Sequence, residues 1–265
     1  MDAVNLDRRI AGAGTSAQAW RSDARLARVP AVDVAQLLAG GTRVIIVAPH
    51  PDDEILACGG LLQLAAARGV PALLVAVTDG EGSHPDSPDW PQDRLRTVRP
   101  QETRHALACL DVPANVRADV LRLHLPDGGV TACEAALVAR LAGVFQPGDV
   151  AVTTWRYDGH PDHEATARAC IAAARRAGAT LLETPVWGWH WSAPDDGAMP
   201  FARARKLALP DHAVARKRAA LACFRSQVQP DASTGAAPIL PAHALERLLN
   251  PYELYFHDPD DGRAP

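Results

Sequence analysis

Residues 44–47, Val-Ile-Ile-Val, form an apolar β-branched run with no polar face, which suits a strand covered on both sides. An Ala/Leu-rich stretch follows over 55–69 and closes on Gly69, predicting a helix that ends at a glycine. The alternation then repeats. Strands are predicted over 72–77, 120–123, 150–153 and about 180–183, with helices over about 94–110, over 131–145 and from the second acidic patch to about 177. Between the second strand and its helix, residues 79–92 are a long polar loop, the kind of connection that serves as a lid or substrate loop.

Strands alternating with helices across short connections predict a parallel sheet with helices on both faces. The expected fold is α/β, a Rossmann-like three-layer parallel sheet in strand order 3-2-1-4-5, with its core over about 43–185. Such sheets bind ligands beyond the carboxyl ends of their strands where the order reverses, here between the first and fourth strands. Residues 1–41 hold one patterned piece, 32–38, predicted as a helix over a sheet edge. Beyond 183 the pattern changes: 186–191 alternates like a strand with three indoles on one face. A Pro/Gly/Asp loop, a helix over 211–224, a Pro-rich stretch over 229–241, a helix over 243–249 and a strand over 252–256 follow. Region 186–265 is expected to pack on the core as an appendage within a single domain, 1–265.

Chemistry concentrates where two of the predicted strands end. The first strand runs into His50-Pro-Asp-Asp-Glu54 and the fourth into Trp155-Arg-Tyr-Asp-Gly-His160-Pro-Asp-His163-Glu164, so the topology brings together patches about 110 residues apart. A catalytic zinc takes three protein ligands and keeps an open position for water; His50, Asp53 and His163 supply such a set. Asp52 then stays free as the base that takes a proton from the attacking water. An imidazolium at His160 is expected to stabilise the developing oxyanion, and Asp162 to orient one of the rings. A helix cap explains one of the acids at 52–54 but not three with a histidine. His84-Pro-Asp86, in the polar loop with no strand before it, is the internal control and is expected to be a turn.

Composition narrows the partners. The net charge of −4 and the lack of any basic block beyond Arg216-Lys-Arg218 argue against nucleic acid and for a small-molecule substrate. Five separated cysteines, at 58, 109, 133, 170 and 223, form no CxxC and read as reduced, which with the absence of an apolar leader or membrane span predicts a cytoplasmic protein. The indoles at Trp155, Trp187, Trp189 and Trp191 offer faces on which a sugar ring stacks, and Trp155 is taken as substrate-binding.

His50-Pro-Asp-Asp-Glu54 after an apolar strand, with Gly159-His-Pro-Asp-His163 far downstream, is similar to the PIG-L/LmbE-like family of zinc-dependent N-deacetylases. The resemblance covers about 43–192. It implies hydrolysis of an N-acetyl group on an N-acetylglucosamine-type sugar conjugate, metal ligation by His50, Asp53 and His163, acid/base work by Asp52 and oxyanion stabilisation by His160. Short matching patches imply that Arg99 and Asp127 face the sugar. Zn2+ is the expected cofactor, and Fe2+ accepts the same donors. The competing readings are an amidase or esterase on another acyl group, a non-haem Fe(II) oxygenase built on two histidines and a carboxylate, and a sugar-binding module with a structural metal. A spare Asp52 argues against the last two, because neither needs a hydrolytic base.

Overall fold

The computed structural model describes residues 7–112 and 119–258; the parts of the expected domain at 1–6, 113–118 and 259–265 lie outside them. In chain order the elements are α1 (Ala17–Arg21), α2 (Ala24–Arg28), β1 (Ala31–Val32), α3 (Val34–Leu38), β2 (Arg43–Ala48), α4 (Asp53–Ala67), β3 (Ala72–Thr78), α5 (Gln92–Cys109), β4 (Asp119–Leu125), α6 (Glu134–Ala142) and β5 (Asp149–Thr154). There follow α7 (Pro161–Ala177), β6 (Thr180–Thr184), α8 (Gly188–Trp191), β7 (Ala204–Ala208), α9 (Asp211–Leu221), α10 (Arg225–Val228), α11 (Ala242–Leu245) and β8 (Tyr252–His257).

All eight strands belong to one sheet, in the order β1-β7-β8-β6-β5-β2-β3-β4. The block from β4 to β6 is parallel throughout. Side chains of β2 alternate between two apolar layers, as pleating requires. Val44, Ile46 and Ala48 join a cluster with α4, α5 and α9, and Ile45 and Val47 join another with α6 and α7. An unbroken apolar strand is thus what burial on both faces demands.

The region past 186 departs from expectation in three ways. It is not an appendage on a finished core: β8 inserts antiparallel between β6 and β7 and extends the same sheet, which is therefore mixed. The five residues of β7, Ala-Arg-Lys-Leu-Ala, fall where the sequence predicts no strand, since two cations interrupt any apolar alternation. Residues 186–191 are not a strand. Asp158, wholly buried, accepts the backbone N–H groups of Val186, Trp187 and Gly188 at 2.9, 3.0 and 2.8 Å, curling the segment into the turn that starts α8. Its indoles consequently diverge. Trp189 meets Trp20 edge-on at 5.2 Å, while Trp191 stacks on Trp155 at 5.7 Å.

At the N-terminal side, the expected helix over 32–38 is divided between β1, which pairs with β7, and α3, opened by a capping box between Asp33 and Gln36. No helix among the described residues is long and apolar enough to cross a membrane.

Candidate metal centre and active site

Adjacent strands β2 and β5 run parallel in register, with Val47 beside Thr153, so the loops leaving their carboxyl ends emerge side by side. From the first loop come His50, Asp52 and, at the start of α4, Asp53; from the second come Asp158 and His160, and His163 lies in the first turn of α7. Three donor atoms converge. His50 Nδ1 lies 3.2 Å from His163 Nε2 and 3.4 Å from Asp53 Oδ2, and His163 Nε2 lies 3.2 Å from that same oxygen.

The second nitrogen of each ring decides what this triangle is. His163 Nδ1 is 2.8 Å from Asp158 Oδ2, and His50 Nε2 is 3.1 Å from Asp127 Oδ1 and 3.2 Å from Asp162 Oδ2. Facing carboxylates, these nitrogens hold the protons of the neutral rings, leaving lone pairs on the two that face Asp53. Three lone pairs about 3.3 Å apart repel one another unless a proton or a cation sits among them, and donors around a tetrahedral zinc at ~2.0–2.1 Å stand about 3.3–3.4 Å apart. The cluster could therefore hold a divalent cation. His50 with His160 and His163, and His50 with Asp127 and Asp162, also bring ligand atoms within 4.8 Å of one another. The second of these groups is the pair of hydrogen bonds that orients His50, with Asp162 itself anchored by the N–H groups of Gly128 and Val130 at 2.7 and 3.1 Å.

Electrostatics follow from burial and these contacts. Burial opposes charge on His163, but Asp53 and Asp158 raise its pKa to about 9. Burial acts the same way at His50, where Asp127, Asp162 and Asp53 raise the pKa well above the ordinary value. Burial would raise Asp53, yet the two imidazoles hold its carboxyl well below the carboxylate range.

Asp52 stands apart from the triangle. Its backbone φ is 128°, a conformation that costs an L-residue about 1–3 kcal/mol and persists only when surroundings enforce it. Three contacts do so. Glu54 Oε2 accepts the Asp52 N–H at 2.9 Å, and Arg99 Nη2 donates to Pro51 O at 2.6 Å and to Asp52 Oδ2 at 3.0 Å. Asp52 Oδ1 has no partner among the described residues. Burial pushes the Asp52 carboxyl up to about 8 against the pull of Arg99, and it pushes Glu54 up to about 7.

His160 caps α7, accepting the Asp162 N–H on Nδ1 at 3.2 Å. Pro161 follows it at the first helical position, where a missing N–H costs nothing. Burial and the adjacent His163 and His50 lower its pKa to about 3. The expected imidazolium is thus corrected to a neutral ring whose proton is on Nε2, because Nδ1 is already an acceptor.

These groups open into a cavity of about 340 Å³ lined on its polar side by Arg99, Asp127, Gly82 and Ser83 and elsewhere by Leu56, Trp187, Gln227, Ile239 and Leu240. Asp127 is there, with Oδ2 accepting the Gly82 N–H at 2.8 Å. Arg99 reaches the wall but is 2% exposed, spent on Pro51, Asp52 and Gly80. Trp155 is not in the lining: it is 1% exposed, inside the aromatic cluster, and the indole at the cavity is Trp187. His84 faces Ser83 and Trp90 in the loop and belongs to no candidate metal group among the described residues. Sequence reasoning missed Asp158, for which the only signal was one more acid two places before His160, and also Gln227, Ile239 and Leu240.

The neighbouring strand ends of a mixed α/β sheet thus present a His/Asp cluster that could hold a divalent cation, with the Asp52 carboxyl beside it. A family model described as PIG-L, GlcNAc-PI de-N-acetylase, matches residues 45–174. A 1D-myo-inositol 2-acetamido-2-deoxy-alpha-D-glucopyranoside deacetylase of Mycobacterium sp. (strain JLS) is 32% identical over 62% of this chain and 59% of its own. A probable N-acetyl-alpha-D-glucosaminyl L-malate deacetylase 2 of Bacillus anthracis is 30% identical over 49% of this chain and 58% of its own. Over residues 45–174 the chain thus matches the PIG-L/LmbE-like deacetylase family. It spans under two thirds of the length of these curated relatives. Among solved structures, a conserved protein from Thermus thermophilus aligns with a TM-score of 0.51 at 26% identity, over 71% of this chain and 80% of that one.

Proposed function

We propose that this protein is a divalent-metal-dependent hydrolase that removes the acetyl group from an N-acetylglucosamine-type sugar conjugate. The observation that carries the reading is the triangle of His50, Asp53 and His163 beside a fourth side chain, Asp52, that is held off it under backbone strain. His50 Nδ1, Asp53 Oδ2 and His163 Nε2 would hold the cation, Zn2+ or Fe2+. Bound there, it would supply Lewis-acid polarisation and a lowered pKa for water.

The chain's own residues supply the rest. Asp52, with Oδ1 unpartnered and Oδ2 fixed by Arg99, takes the proton of the attacking water and returns it to the departing amine. His160 donates its Nε2–H to the oxygen that gains charge as the amide carbon becomes tetrahedral. Asp162 and Asp158 keep the rings of His50 and His163 in the tautomers that turn lone pairs inward. Asp127 and Ser83 form a polar wall for the sugar, while Leu56 and Trp187 meet its apolar face. Both curated relatives are named for acetamido sugars in α-linkage, which supports a substrate of that kind.

The test is acetate release from N-acetylglucosamine conjugates after stripping the metal and reloading with Zn2+ or Fe2+. Activity should vanish on stripping and return on reloading; acetate release unaffected by stripping would overturn the reading.

A further inference from the structure

The cavity wall supplied by the C-terminal region holds one polar side chain that the proposed chemistry leaves unused. Gln227 is 1% exposed and lines the cavity. Its amide nitrogen donates to Ser226 Oγ at 2.9 Å and lies 3.4 Å from Ser83 Oγ. Its Oε1 accepts no hydrogen bond from the described residues, which leaves it open to a donor in the cavity that Gln227 lines.

Which end of the amide faces the cavity is set by a carboxylate. Glu102 accepts both the backbone N–H of Ser226, at 2.8 Å, and its hydroxyl proton, at 2.6 Å. Having given away its only hydroxyl proton, Ser226 Oγ can only accept from Gln227, so the amide nitrogen must face Ser226. The oxygen is left for the cavity. Glu102 and Arg99 sit one turn apart on α5, so one helix orients both Asp52 and Gln227.

We infer that Gln227 is a specificity-determining residue, whose Oε1 accepts a hydrogen bond from a hydroxyl group of the substrate's sugar ring, with Glu102 as the positioning residue that prevents the amide from turning over. The inference rests on the proposed deacetylase reading for the nature of the substrate. The wall is then one of acceptors, Gln227 Oε1 with the Asp127 carboxylate, and it selects a polyhydroxylated ring over an acyl amide that carries no donors.

The probes are methyl N-acetyl-α-D-glucosaminide and its 3-, 4- and 6-deoxy analogues, with the Zn2+-loaded 265-residue chain. Binding is read by calorimetry and turnover by acetate release. One deoxy analogue should bind about tenfold more weakly than the parent to the wild type, the scale of one neutral hydrogen bond. Gln227→Leu should weaken the parent by a similar factor while leaving that analogue unchanged, and Glu102→Gln should lose part of the same discrimination. Equal affinities across the wild-type panel, which need no variant to fold, would overturn the inference, as would a Gln227→Leu loss shared by every analogue. Failure of the deacetylase reading looks different: no acetate is released from any probe, and the deoxy pattern in binding still decides the role of Gln227.

Discussion

At the scale of residues, the site turns on two consecutive acids with opposite fates. Asp53 is drawn between two imidazoles that keep it ionised, while Asp52 is pushed up to about 8 and held by Arg99. Asp52→Asn should keep the fold and the bound metal and lose about 10²–10⁴-fold in acetate release, checked by kinetics beside metal analysis; turnover near wild type would reassign the base. A second expectation comes from His163. Because its pKa is raised to about 9 in the metal-free protein, a cation must displace a proton at lower pH. Zn2+ affinity should then rise by about tenfold for each pH unit from 6 to 8 per proton released, and a dissociation constant flat across that range would refute it. The proposed ligand and base positions are legible because acids and histidines follow an apolar strand at fixed spacing. Asp158 is not, since nothing local tells which loop carboxylate will face a ring five residues on. Trp155 misleads for a related reason: an indole looks the same in sequence whether it stacks on sugar or on Trp191.

Among elements, α5 is the organiser of the polar half of the cavity. Arg99 and Glu102 leave it one turn apart, one toward Asp52 and the other toward Ser226 and Gln227. Arg99 also donates to Gly80 O at 2.8 Å, and Gly80 sits at φ 70°, where an added Cβ would stand 2.1 Å from the guanidinium. Gly80→Ala should therefore destabilise the protein by about 2 kcal/mol and slow turnover through Asp52; an unchanged thermal midpoint would count against that packing. Strands β2, β3 and β5 announce themselves by apolar runs buried on both faces. By contrast, β7 is hidden by Arg205 and Lys206, and α8 is a helix because Asp158 gathers its first amides, a tertiary cause with no trace in the alternation of Trp187, Trp189 and Trp191.

For the whole molecule, the boundary drawn at 186 from changing pattern is not a physical boundary. Antiparallel β8 fills the place between β6 and β7, and from it Glu253 reaches into α4, accepting the N–H groups of Gly60 and Leu61 at 2.7 and 2.8 Å while pairing with buried Lys217 at 2.7 Å. A chain cut after residue 185 loses these contacts together with Gln227, Ile239 and Leu240. It should fail to give a cooperative thermal transition, and a truncated chain that melts cooperatively and binds Zn2+ like the uncut one would show that residues 1–185 are a self-sufficient domain.

The Glu253 clasp also has a consequence in time. Gly60 and its partner are separated by 193 residues, which at roughly 5–20 residues per second takes about 10 to 40 s to synthesise. The helix that starts at Asp53 leaves the ribosome long before the strand that fastens it, and contacts so distant along the chain form slowly even afterwards. Until β8 arrives, the edges of β6 and β7 are open to pairing with other chains. The interval before β8 pairs is thus when those two strand edges leave the chain exposed to aggregation.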